Sequence, residues 1–321
     1  MKWSVFKGTE SDSPKMAVGL ILTALLFLSL QDGLVKFVSD QTSLWQFQII
    51  RSLFNLGFIF IGLAIVGGWH LIWPKNLRAV MFRTLAIMGT MIFFFAGAPF
   101  LTLPEMGAGL YTYPVFMTVL SVIFLNEKVG VWRLTAVVLA ALGAFLIFKP
   151  LGQSFHSAQI LPIFAGLFYS INAIILRKYC RSESPVTMAT WASFGFLVMC
   201  TIGAIIIGLA PTSEASTASW PFILEAWPTL TFGVIGFALI CAFCNVSGNV
   251  LIVKAYQSSE LSRLAPVDYS YLIFSIFWGW VFFNGLPELA TILGMVLITL
   301  AGILTAWRQH KDAKPLAFTN P

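Results

Sequence analysis

A few ionisable side chains stand inside otherwise apolar stretches of this 321-residue chain, and they are where its chemistry must lie. A charge within a hydrocarbon layer costs ~2.5–3.5 kcal/mol on insertion scales, so each needs a reason to be there. Asp268 falls ten residues into an apolar run, ~15 Å deep for a helix, and is flanked by Pro266, Tyr269 and Tyr271. A carboxylate there binds a solute or a coupling proton, or else bonds a neighbouring helix. The proline frees a carbonyl and loosens the helix around it. Arg51 lies ~10 Å inside another run, with Asn55 one turn on. Its guanidinium suits a solute carboxylate or phosphate, or pairs with Asp32 or Asp268. Asp32 and Lys36 are spaced i, i+4, as an outer gate or an intrahelical pair would be. Glu105 opens a helix, where the dipole favours a carboxylate, and reads as structural.

Uncharged polar groups share these depths. Tyr111, Tyr113 and Pro114 sit mid-run, Tyr169 and Asn172 share a face at i, i+3, and Asn245 and Asn249 do so at i, i+4. Each either lines a cavity or bonds a neighbouring helix. Tyr111, Tyr113, Tyr269 and Tyr271 together would form a stacking wall for a ring-bearing solute. Cys241 and Cys244 form a C-x-x-C on an apolar helix with no second pair, which reads as packing. No metal-spaced ligand set, P-loop or other cofactor motif is visible, so an ATP-driven pump is excluded for this chain alone, and no cofactor is expected.

The elements that position these residues are membrane helices. The chain is 58% hydrophobic and 10% charged, against ~25% charged in a soluble domain. Ten apolar runs of spanning length are expected: 16–37, 44–67, 79–99, 103–125, 130–148, 159–179, 186–209, 229–253, 259–283 and 288–307. Trp69 and Trp73 in the second connection suit an interfacial belt. The first run is long enough to span, so it is read as retained rather than as a cleaved signal.

With the N-terminus inside, 16 of the 19 lysines and arginines fall in cytoplasmic segments, leaving Lys36 and Lys149 outside and Arg51 within a span. Both tails, 1–15 and 308–321, are then cytoplasmic. The net charge of +6 is a topology signal; no basic cluster is large enough to suggest nucleic-acid binding.

The stretch from Leu103 repeats from Ser258: an acidic residue, a proline with tyrosines, an aromatic-rich helix end, an asparagine, then a glycine-bearing helix. Glu105 corresponds to Glu260, Asn126 to Asn284, and Gly143 falls near Gly302 in register. Five spans per copy is odd, so the second copy, 151–307, enters from the opposite side to the first, 16–150. Inverted repeats of this kind are typical of secondary transporters with a midplane site.

The block Leu110-Tyr-Thr-Tyr-Pro114, the turn Phe124-Leu-Asn-Glu127, Gly143 with Pro150, Ala265-Pro-Val-Asp-Tyr269, and Gly294 through Gly302 resemble EamA domains of the drug/metabolite transporter superfamily. The resemblance runs from about Met16 to Trp307, and departs where the second copy has Gly285 in place of the first copy's Glu127. Gln31-Asp32 with Lys36, and the tyrosine-bearing ninth span, resemble a branch that includes bacterial riboflavin and S-adenosylmethionine carriers. The resemblance implies an all-α integral membrane protein, with two inverted five-helix repeats around a central cavity. It also implies movement of a small metabolite or drug.

The expectation is therefore a secondary carrier of a small polar or amphipathic solute in a bacterial inner membrane, working by alternating access. Tyr111, Tyr113, Pro114, Asn172, Asn245, Asp268, Tyr269, Tyr271 and Arg51 would bind the solute. Asp268, Asp32 and Lys36 would couple or gate, with a proton or other ion as the coupling species. Its partners would be that solute and the bilayer. A passive channel and a lipid-modifying enzyme are the rivals; the enzyme needs a nucleophile or acid–base cluster that is not evident.

Overall fold

The computed structural model describes residues 14–125, 131–148, 156–180, 182–209, 217, 219–258, 264 and 267–312. Among these the longer elements are α1 (Pro14–Val38), α2 (Leu44–Val66), α3 (Leu77–Ala96), α4 (Leu103–Leu110), α5 (Tyr113–Leu125), α6 (Val131–Phe148), α7 (Leu161–Tyr179), α8 (Pro185–Leu209), the single turn α9 (Pro221–Leu224), α10 (Phe232–Ser258), α11 (Ser270–Phe283) and α12 (Leu289–Asp312). Asn126, Glu127, Pro150, Glu260 and Pro266, which carry parts of the repeat, lie outside the described residues.

Among the described residues six helices are long and apolar enough to cross a membrane: Lys15–Val38, Leu44–Ile65, Leu77–Ala96, Ser157–Leu176, Pro185–Leu209 and Phe232–Ile252. Three shorter apolar helices, Leu134–Phe148, Ser270–Phe283 and Leu289–Leu304, accompany them. Large apolar side chains such as Ile61, Ile65, Leu209 and Phe232 point outward, as lipid-facing residues do. Trp69 and Trp73 are exposed at a helix end.

The expected continuous helix over 103–125 is instead two helices. Pro114 has no N–H to bond the Leu110 carbonyl, and its ring disfavours helical geometry at Tyr113. The chain turns at Tyr111-Thr112, where Tyr111 N bonds Gly107 O and Thr112 N bonds Gly109 O. The Thr112 hydroxyl donates to the same Gly109 carbonyl at 2.6 Å. α4 starts on a capping box in which Glu105 accepts from the Thr102 backbone and hydroxyl, so Glu105 is structural as expected. α11 begins after a turn at Tyr269 and ends at Asn284 in the left-handed region (φ 51).

Helix contacts come in pairs. If α1, α2, α3, α4–α5 and α6 are exchanged for α7, α8, α10, α11 and α12, the most extensive helix pairs map onto one another. α1 lies along α10 as α7 lies along α3; α2 meets α10 as α8 meets α3; α1 meets α11 as α7 meets α4 and α5. The pairs α2–α8, α4–α11 and α6–α12 map onto themselves. Glycines follow the same rule: Gly89 of α3 receives Phe168 of α7, and Gly248 of α10 receives Leu28 of α1. α6 and α12 cross where Gly143 meets Gly294 and Ile298 while Gly294 meets Ile147. Farther along, Ala136 and Ala140 cluster with Ala301, so the two helices run antiparallel.

Loop contacts sort to two ends. At one, Glu183 accepts from the Lys75 and Asn76 amides, and Thr187 and Trp191 bond the Leu71 and Ile72 carbonyls. At the other, Ser43, Trp45 and Gln46 bond the carbonyls of Ala226, Ile223 and Pro228. Phe100 stacks on His156 at that same end, beside Trp220.

Candidate functional site

The break between α4 and α5 and the turn at Tyr269 before α11 face each other inside the bundle. α4 packs on α11 and brings Tyr111 against Tyr271, rings stacked with centroids 5.4 Å apart. Tyr111 also meets Tyr269 at 5.2 Å and Tyr113 at 6.0 Å, and Tyr113 meets Tyr169 of α7 at 5.0 Å. Five of the chain's seven tyrosines thus form one cluster, and four are those read from the sequence as a stacking wall.

Hydroxyls tie this cluster to both aspartates. Tyr111 donates to the Asp268 backbone carbonyl at 2.9 Å. Tyr271 donates to Asp32 Oδ2 at 2.7 Å, and Gln31 donates to Asp32 Oδ1 at 3.2 Å. The Asp268 carboxylate lies within electrostatic reach of Tyr111, Tyr169 and Tyr269, and no side-chain hydrogen bond is formed to it among the described residues. Gly302 lets α12 close on this region, since a Cβ there would overlap the Tyr269 hydroxyl. Gly166 of α7 comes equally near the Gly109 and Leu110 carbonyls at the α4 break. Pro114 lines a crevice beside Tyr111 with Thr118, Ala140, Ile298 and Gly302.

On the Ser43 side of the tyrosines stands Arg51, 2% exposed, with its guanidinium 5.5 Å from the Phe95 ring. Its Nε and Nη1 have no hydrogen-bond partner among the described residues. Asp32 is the carboxylate whose charge it feels, yet the two make no direct ion pair; the Asp32 oxygens accept from Tyr271 and Gln31. Gln48, Ser52 and Asn55 share the Arg51 face of α2, are all buried, and keep Gln48 Nε2, Ser52 Oγ and Asn55 Oδ1 unpartnered. Sequence reasoning missed Gln48 and Ser52, although their i, i+3, i+4, i+7 spacing with Arg51 and Asn55 is a readable signal.

Some expected groupings fail. Lys36 does not pair with Asp32: its Nζ donates to the Ala98 carbonyl at 2.6 Å and sits over the Phe283 ring, so the intrahelical pair is replaced by a tie to the end of α3. Asn249 is exposed and its amide bonds the Asn245 backbone carbonyl, and the Asn245 side chain is half-buried on α10. Asn172 is buried, near Tyr169, with Oδ1 unpartnered. Arg83, taken from sequence only as a cytoplasmic charge, lies within electrostatic reach of Cys180 and Tyr169; its Nη1 reaches the Met188 carbonyl at 3.5 Å and its Nε is unpartnered among the described residues. Cys241 and Cys244 are free and buried, and Cys241 Sγ lies 3.6 Å from the Gln31 carbonyl.

The arrangement sets stacked rings beside buried, unpartnered donors. Among the described residues it holds no group of His, Cys, Asp and Glu spaced for a metal.

Comparison with known proteins agrees with the fold. The EamA-like transporter family matches twice, over residues 15–149 and 156–307. A riboflavin transporter of Vibrio cholerae is 27% identical over 248 residues, covering 77% of this chain and 74% of its own length. A pseudopaline exporter of Pseudomonas aeruginosa is 24% identical, covering 91% and 96%. An S-adenosylmethionine uptake transporter of Rickettsia bellii is 20% identical, covering 92% and 95%. A solved crystal structure superposes on 94% of this chain and on all of its own length, with a TM-score of 0.58 at 15% identity, so the fold is shared.

Proposed function

Because the chain belongs to the EamA-like transporter family, we propose that it is a secondary transporter moving a small polar or amphipathic metabolite across the bacterial inner membrane by alternating access. An amino acid, a vitamin or a nucleoside-like solute fits this reading. Ten spans are counted when α4 and α5 act as one broken helix beside the six long and three shorter apolar helices. The two repeats, 16–150 and 151–307, are taken as inverted, with both tails cytoplasmic. The exchange-symmetric packing and the antiparallel α6–α12 crossing support this.

The observation that carries the reading is the meeting of two broken helices at one tyrosine cluster, bonded to Asp32 on one side and to the Asp268 carbonyl on the other. Irregular backbone at membrane depth persists where it lines a site, and rocking of one repeat on the other opens such a site to each face in turn. Tyr111, Tyr113, Tyr269 and Tyr271 stack on the solute, with Pro114 shaping the break, and Asn172 and Arg51 bind polar ends. Asn245 contributes from the rim. Asp268 carries the coupling proton or holds the solute, and Asp32 with Lys36 gates the Ser43 end.

Reconstitution in proteoliposomes tests this. Labelled solutes, riboflavin and S-adenosylmethionine among them, should show saturable uptake and counterflow for at least one. Asp268→Asn should remove the pH dependence of that flux. Flux that neither saturates nor shows counterflow would instead identify a channel.

A further inference from the structure

We propose that the Gln48, Arg51, Ser52 and Asn55 face of α2 is an anion subsite, which takes the carboxylate or phosphate of a ring-bearing organic solute. This deepens the transporter reading and rests on it. The α2 face is buried throughout, with Arg51 2% exposed, yet it presents free donors at Arg51 Nε, Arg51 Nη1 and Gln48 Nε2, with the Ser52 hydroxyl beside them. A buried guanidinium whose Nε and Nη1 lack hydrogen-bond partners among the described residues is expensive, and the Asp32 charge offsets that cost only from a distance, with no direct ion pair. Both oxygens of Asp32 are held by Tyr271 and Gln31. The guanidinium lies against the Phe95 ring, which holds the planar fork in place. A planar fork with an adjacent amide and hydroxyl matches the two or three oxygens of a carboxylate or phosphate. Asp32 links this face to Tyr271, so an anion bound at Arg51 has its organic body directed toward the tyrosine rings.

The test uses the full chain, purified in detergent, with three probes: 4-hydroxyphenylacetate, phenyl phosphate and the uncharged 4-hydroxyphenylacetamide. Their affinities are read from the rise in unfolding temperature with concentration. At least one anion should bind about tenfold or more tightly than the amide, and the tighter anion identifies the headgroup chemistry. Arg51→Gln should erase that difference. Comparing anion with amide on the unsubstituted protein needs no variant, so a variant that fails to fold leaves the test intact. Equal binding of amide and anions, no shift with any probe, or an unchanged anion preference in folded Arg51→Gln would each overturn the subsite. Counterflow in proteoliposomes separates the two ideas. Anion-selective binding without counterflow would refute the transporter and leave the subsite, whereas counterflow without charge preference would do the reverse.

Discussion

The Tyr271 hydroxyl donates to Asp32 Oδ2 at 2.7 Å, joining α11 to α1 in the buried centre of the bundle. A hydrogen bond to a charged group contributes ~1.5–3 kcal/mol, and losing it here leaves Asp32 with Gln31 as its remaining partner. Tyr271→Phe keeps the ring stacked on Tyr111 and removes only that bond. It should lower the unfolding temperature and cut uptake at least about tenfold, a loss of ~1.4 kcal/mol or more in the rate-limiting state. Proteoliposome uptake and a melting curve on the same preparation check it; wild-type values in both would show that the bond supports neither.

Tyr111 does two jobs that substitution can separate. Its ring touches Tyr113, Tyr269 and Tyr271, while its hydroxyl ties α4 to the Asp268 carbonyl. Tyr111→Phe should cost ~1 kcal/mol of stability, the worth of one neutral hydrogen bond. Tyr111→Ala should cost ~3–5 kcal/mol, as large-to-small changes at buried aromatics do, and abolish solute binding. Denaturation in detergent and ligand-induced thermal shifts measure the two. Comparable effects from both variants would place the whole contribution in the hydroxyl.

Much of this centre was legible in the sequence. Apolar runs fixed the helical class, the polar positions of the repeat exposed the two copies, and the tyrosines that meet are those singled out by depth. What was hidden depended on direction rather than composition. The break at Tyr111-Thr112 follows from Pro114, but an apolar count runs straight through it. Gln48 and Ser52 carry a readable spacing with Arg51 and Asn55, but only the fold shows that this face of α2 points inward. Lys36 was paired with Asp32 by spacing along one helix, whereas its partner is a carbonyl 62 residues away. Arg83 counts toward topology because its position is near a helix end, and only the fold brings Tyr169 of α7 within reach of its charge.

Glycines provide a matched pair of tests. A Cβ at Gly302 would overlap the Tyr269 hydroxyl, while one at Gly236 meets nothing within 4 Å. Gly302→Ala should therefore push α12 from α11, destabilise the protein by ~1–3 kcal/mol and impair uptake. Gly236→Ala, on α10, should leave both near wild type. The difference in unfolding temperature between the two variants is the readout. Equal behaviour would show that α12 can shift without disturbing the tyrosine cluster.

Topology can be decided by reporters at loop positions. The loop contacts group residues 71–76 with 183–191 at one end, and residues 43–46 with 223–228 at the other. Under the proposed arrangement the first end is cytoplasmic and carries the positive residues. Alkaline phosphatase fused after Gln41, Trp220 or Gly285 should be active, and green fluorescent protein fused after Pro321, or after Ile72, should fluoresce. An odd number of crossings would reverse the reporters from some point onward, and the place of reversal would identify the helix at fault. Phosphatase activity after Ile72 would be the most damaging result, because Leu71 and Ile72 are bonded to Thr187 and Trp191, and both ends of the exchange-symmetric packing would then have to be reassigned together.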